Sequence, residues 1–171
     1  MRKAISLSIL FILISWSGWI AAEDSAPAWG EYDFSLEVTD VREGLVYYRL
    51  GISKNTPFSI EFLHSYDRVP YWDEYIVDGR GKLIHCRSGG HSMLNGQGFR
   101  FKGFRIVPGG TWVIDGIEES MDALFFIMGT RGDADHRLKL PDRTITLSDK
   151  IESGRIVRIA AQPRNRHKEG R

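Results

Sequence analysis

Apolar residues in this chain recur at every second position, in short runs cut by glycine, proline and aspartate. Nowhere do they hold a helical period for long. Tyr32, Phe34, Leu36 and Val38 alternate with polar partners, and Leu45 to Leu50 is a second run rich in Val and Tyr. Lys82 to Arg87, Thr111 to Ile114, Arg137 to Leu140, Arg143 to Leu147 and Arg155 to Ala161 continue the series. Period two sends successive side chains to opposite faces, so such runs fold as half-buried strands. Turn chemistry separates them at Asp40 to Gly44, Lys54 to Pro57, Asp78 to Gly81, Pro108 to Gly110, Asp115-Gly116, Pro141-Asp142 and Glu152 to Gly154. About ten short strands so spaced predict an all-β chain, a single antiparallel β-sandwich or a partly open barrel. Ala123 to Met128 is continuously apolar and is expected to be a fully buried central strand. Ile117 to Leu124 comes nearest to a helix, for one turn or two. Phe99, Phe101, Phe104 and Ile106 slip phase at Gly103, which points to a bulge.

A length of 171 residues suits one domain, and 42% apolar content is enough for a core rather than a disordered chain. The N-terminus has the layout of a secretory signal peptide: Met1-Arg2-Lys3, an apolar run from Ala4 to Ile14, and Ala21-Ala22 just before Glu23-Asp24. Residues 1–22 are read as that signal, cleaved after Ala22, with an uncleaved anchor as the alternative. Export to the periplasm or beyond follows. No later segment is long and apolar enough to span a bilayer, so no membrane span is expected once the signal is removed. Residues 23–50 read as N-terminal strands of the β domain, 51–161 as its main part, and 162–171 as a disordered basic tail, with anionic-lipid contact as a second reading of that tail. Arg2 and Lys3 are the basic residues of the signal; without them the 23 Lys and Arg fall just below the 22 Asp and Glu. That balance lacks the electrostatic footprint of a nucleic-acid binder. Cys86 is the single cysteine. It cannot staple the fold internally and reads as a small buried hydrophobe, with an interchain pair or a reactive thiol as alternatives.

The chemistry concentrates in Phe58 to Asp78, two alternating strands around a polar and aromatic turn. Phe58, Ile60, Phe62 and His64 share one face of the first strand; Trp72, Glu74 and Ile76 share one face of the second. In a hairpin that sets Phe62 against Ile76, His64 faces Glu74 and apolar faces match. A histidine beside a carboxylate is held in one tautomer, and such a pair orients a ligand, joins a metal site or serves as acid and base. The bland alternative, a hydrogen-bonded structural histidine, carries about equal weight. Ser65 points to the other face from His64 and lacks a nucleophile elbow, so a serine hydrolase is a poor fit. His85 and Cys86 are adjacent and face opposite ways, which does not suit one metal. Neither the zinc, the metalloprotease nor the calcium-loop spacing occurs, and no cofactor is implied. His136 follows the polar loop Gly129 to Asp135 and is a candidate to close on the same site, with a solvated turn as the plainer reading of that loop.

The block Phe58-Ser-Ile-Glu-Phe-Leu-His64-Ser65 with Glu74-Tyr75-x-Val77-Asp78 resembles the start of the bacterial family numbered eighteen-fifty among the domains of unknown function. Phe126-Ile-Met-Gly129, Asp135-His136-Arg-Leu138, and Ile145-Thr-Leu147 with Gly154-Arg-Ile-Val157 resemble its C-terminal half, so the likeness spans Gly51 to Ala161. Members are typically encoded beside tripartite ATP-independent periplasmic (TRAP) transporters of the TAXI type, with no established activity. The resemblance implies His64, Ser65, Glu74 and His136 as ligand-binding positions, and transporter components or a small organic ligand as partners. The family's Gly-Ala-Gly-like loop is replaced here by Ser88 to Gly98. Three expectations result. The first is a periplasmic accessory or small-ligand-binding domain, more a binder than an enzyme. The second is a metal-dependent or acid–base enzyme using His64, Glu74 and His136. The third is a structural module without a ligand.

Overall fold

The structure is a computed structural model that describes residues 32–64, 68–91 and 102–164. The proposed signal, Ser65, most of the glycine-rich segment after Gly90 and the end of the basic tail lie outside the described residues. Two antiparallel sheets face each other, and neither closes into a barrel, so the sandwich form of the expected all-β fold is the one adopted. The smaller sheet has the order β2-β1-β11-β8, from β1 (Phe34–Asp40), β2 (Val46–Ile52), β8 (Leu124–Ile127) and β11 (Ile156–Pro163). The larger has the order β10-β9-β3-β4-β5-β7-β6. Its strands are β3 (Phe58–Leu63), β4 (Pro70–Val77), β5 (Leu83–Gly90), β6 (Phe104–Ile106), β7 (Trp112–Met121), β9 (Arg137–Lys139) and β10 (Thr144–Thr146).

Alternation decides what is buried. Phe34, Leu36 and Val38 of β1 meet Phe58 and Ile60 of β3, Tyr75 and Val77 of β4, Leu138 of β9 and Val157 and Ile159 of β11 in one core between the sheets. Tyr71, Trp112 and Ile114 form a second, smaller cluster. Asp40 ends β1 with its side chain fully buried. Its Oδ1 accepts the backbone N–H groups of Arg42 (2.7 Å) and Glu43 (2.9 Å), and Arg155 reaches its other oxygen at 3.4 Å. Those N–H bonds, led by that of Glu43 and helped by Arg155, hold the carboxyl below its ordinary range.

Three expectations are corrected. The β3–β4 hairpin pairs Phe62 with Tyr71 and Ser59 with Glu74, not Phe62 with Ile76 or His64 with Glu74. The turn sets this register: His64 N–H donates to Val69 O (2.9 Å), and Arg68 N–H donates to His64 O (2.8 Å) with Arg68 at φ 57°. The buried face of β4 is therefore Tyr71, Tyr75 and Val77, and an odd shift in pairing moves Trp72, Glu74 and Ile76 to the outer face. Second, Ile117 lies inside β7 and forms no helix. Third, the apolar run at Ala123 is an edge strand, not a central one. Leu124 and Phe126 pack inward, while Phe125 and Ile127 are 56% and 67% exposed.

Phe58 is 2% exposed and stacks on Tyr75 at 5.6 Å. Phe58→Ala leaves a cavity in the main core and is expected to cost about 3–5 kcal/mol in denaturant unfolding. Asp40 stabilises the fold above its unfolded pKa of 3.8, and that contribution is lost as pH falls through its lower folded value. Asp40→Asn should flatten the acid limb of the stability profile below about pH 4, read by circular dichroism across pH.

Candidate functional site

His136 and His64 belong to one run of stacked rings. Phe126 lies 4.8 Å from His136, His136 5.6 Å from Phe62, Phe62 5.9 Å from Tyr71, and Tyr71 4.9 Å from His64. Two aromatic rings thus stand between the histidines. His136 is 8% exposed, and its Nδ1 accepts the Gly129 N–H at 3.4 Å. Burial pushes its pKa below the ordinary value, with Asp135 partly opposing. It behaves as a neutral core ring whose backbone carbonyl accepts Leu147 N–H at 2.9 Å. Loop Gly129 to Asp135 does close on the β3–β4 turn, but through other groups. Leu63 N–H donates to Ala134 O (2.7 Å), and Arg68 donates to Asp133 Oδ1 (2.6 Å) and Gly132 O (2.5 Å).

Glu74 stands apart on the outer face of the large sheet, so His64, Glu74 and His136 do not converge. Among the described residues, no three His, Cys, Asp or Glu side chains gather to hold a metal ion. What Glu74 lines is a groove of about 430 Å³, with Ser59 and Glu61 of β3, Trp72 of β4, Arg87 of β5 and Lys139 of β9. The register places Lys139 beside Ser59, Ser59 beside Glu74, and Glu74 beside Arg87. Small Ser59 makes the low point of that row. Lys139 Nζ pairs with Glu61 at 2.9 Å, and Arg87 pairs with Glu74 at 3.4 Å and Asp115 at 2.9 Å. The Arg87 guanidinium also sits 5.4 Å from the Trp72 ring centre. Trp72 lies over Gly89, where a Cβ would clash with the indole.

The inner face of the same strands carries a cluster that the sequence did not reveal. Ser88 Oγ donates to Asp73 Oδ1 at 2.5 Å, and His85 Nε2 lies 2.9 Å from Ser88 Oγ, 3.2 Å from Arg87 O and 3.4 Å from Asp73 Oδ1. A carbonyl and a carboxylate both face Nε2, so that nitrogen carries the proton. Serine and aspartate share one ring nitrogen, which is not the relay in which a carboxylate orients one nitrogen and serine meets the other. The cluster therefore fixes a tautomer and does not activate a nucleophile. Burial first, then Asp73 and Glu119, pushes the Tyr75 hydroxyl well above its ordinary pKa, and its ring stacks on His85 at 4.8 Å. In a regular strand His85 and Ser88 would face opposite ways. A shift in pairing at Cys86 brings them to one side, and only a sign of that bulge in the sequence could have exposed the cluster. Cys86 is half-buried, its thiol donates to Ile84 O at 3.4 Å, and burial raises its pKa.

No family model, curated protein or solved structure matches this chain.

Because His136 is harder to protonate folded than unfolded, its neutral form supports the fold above its unfolded pKa of 6.5. That support is lost as pH falls from there towards the lower folded value. His136→Phe keeps the stack and removes the titration. Its melting temperature should fall less than the parent's between about pH 7 and pH 5, measured by calorimetry.

Proposed function

We propose that this chain is an exported small-ligand-binding β domain, acting without catalysis beside a TRAP-type solute transporter in the periplasm. The groove containing Glu74 carries the reading. Its volume of about 430 Å³ suits a solute of metabolite size. Glu74 is also one of the positions that the family resemblance implies. The association with a transporter rests on that resemblance, through the block from Phe58 to Asp78 and its C-terminal counterpart.

The groove's electrostatics narrow the ligand. Lys139 and Arg87 each already hold a carboxylate, Glu61 and Glu74 respectively. A singly charged solute would have to break one of these pairs, whereas a zwitterion or a polyhydroxyl solute inserts acceptors beside the cations and donors beside the carboxylates. Trp72 offers an apolar wall for the solute's carbon skeleton.

Calorimetric titration with panels of amino acids, sugars and small organic acids tests this. At least one solute should bind saturably, and Arg87→Ala should weaken it about tenfold, the effect of losing one charged hydrogen bond of roughly 1.5 kcal/mol. Saturable binding that Arg87→Ala and Lys139→Ala leave unchanged would remove the groove from the account. Solute uptake that is unchanged across the panels after deletion of the gene would remove the transporter.

A further inference from the structure

We infer that the outer groove takes a neutral, linear saccharide of at least two rings, lying across the strands of the large sheet. The inference rests on the ligand-binding reading above and narrows it to one class of solute. Register lays Lys139 of β9, Ser59 of β3, Glu74 of β4 and Arg87 of β5 side by side in one row. Glu61 and Trp72 pair in the next row of the same face. Three strand spacings separate the Lys139 and Arg87 backbones, about 14 Å in all. One sugar ring is too short to reach both ends of that row, and two joined rings are not. The groove's volume of about 430 Å³ accommodates a solute of that size.

Both hydrogen-bonding roles are on offer along the row. Glu61 and Glu74 each give Oε1 to Lys139 and Arg87, and among the described residues their Oε2 atoms accept no hydrogen bond. Arg87 spends Nε on Asp115 and Nη1 on Glu74, which leaves Nη2, and Lys139 spends one of its three N–H groups. The Ser59 hydroxyl, at the low point between them, is both donor and acceptor. Sugar hydroxyls have the same double character. A neighbouring pair of them donates to a spare carboxylate oxygen and accepts from the adjacent cation, and neither ion pair has to open. Full charges suit the row less well. An ammonium brought to Glu74 meets the Arg87 guanidinium held 3.4 Å from that carboxylate, and a carboxylate brought to Arg87 meets Glu74 and Asp115. Attraction and repulsion then act over similar distances and largely cancel, while the cost of stripping water from the ligand's charges remains. Trp72 on one side, and Leu140 with Pro141 on the other, give apolar walls for the ring C–H groups.

The test is calorimetric titration of the full chain with maltose, cellobiose, lactose, sucrose and trehalose. Glucose and galactose serve as single rings, and glutamine and glycine betaine as zwitterions. At least one disaccharide should bind saturably, about tenfold or more tighter than either single ring, the effect of losing the contacts at one end of the row. Its affinity should move by less than about twofold between roughly 0.05 and 0.5 M salt, because the ligand brings no charge to be screened. Ser59→Ala should weaken it roughly fivefold, the effect of one neutral hydrogen bond, with the circular dichroism spectrum unchanged. Disaccharide binding that Ser59→Ala and Arg87→Ala both leave unaltered would put the sugar elsewhere and overturn the assignment. If no disaccharide binds, the assignment also falls. Binding of an amino acid or organic acid that Arg87→Ala weakens would then keep the groove as a solute site, whereas silence across every solute ends both readings together.

Discussion

Strand β5 is crowded from both sides, and the large sheet depends on how it yields. The Trp72 indole occupies the outer face over Gly89, and Trp112 occupies the inner face at Gly90, where a Cβ would meet its ring at 3.1 Å. Two glycines close β5 and leave its end without side chains of its own to pack. Here the loss is offset because two indoles, among the largest apolar surfaces available to a protein, take the vacated space. The same strand bulges at Cys86, which lets Arg87 meet Glu74 and Asp115 on the outside while His85 and Ser88 both turn inward. The outer groove and the inner polar cluster are thus two faces of one irregular strand.

That dependence explains which features were legible in the sequence. Period two in β1 and β3 survived because each buries one face and leaves the other half-buried, so the alternation that marks a strand also marks its core residues. The turns at Asp78 to Gly81 and Pro108 to Gly110 were legible for a similar local reason, since Gly81, Gly109 and Gly110 all take positive φ, which glycine reaches without strain. The register of β4 was not legible. Trp72 and Ile76 are as apolar as Tyr71 and Tyr75, so hydrophobicity alone scores both faces of the strand alike. What separates them is the room above Gly89, supplied by a residue far along the chain.

The strand at β8 misled for the opposite reason. A continuous apolar run satisfies the rule for a buried strand, yet Phe125 and Ile127 face outward beside Arg158 and Ile156 of β11. His136 shows a further limit of sequence reasoning. Its neighbours in the fold are Phe62 and Phe126, distant in sequence, and they set its ring inside an aromatic stack. The residues carried over by resemblance therefore serve different ends: Glu74 lines an open surface, while His64 and His136 tie the β3–β4 turn and the start of β9 into one stack.

The open edge at β8 bears on how the molecule coexists with copies of itself. A sheet that ends in an apolar strand invites extension by any chain able to pair with it. Here the invitation is brief, because β8 runs only from Leu124 to Ile127 before Met128 turns back into the core. An incoming strand would gain few backbone bonds, against an association cost that those bonds alone do not repay. Brevity, rather than charge or proline, is what limits pairing at this boundary.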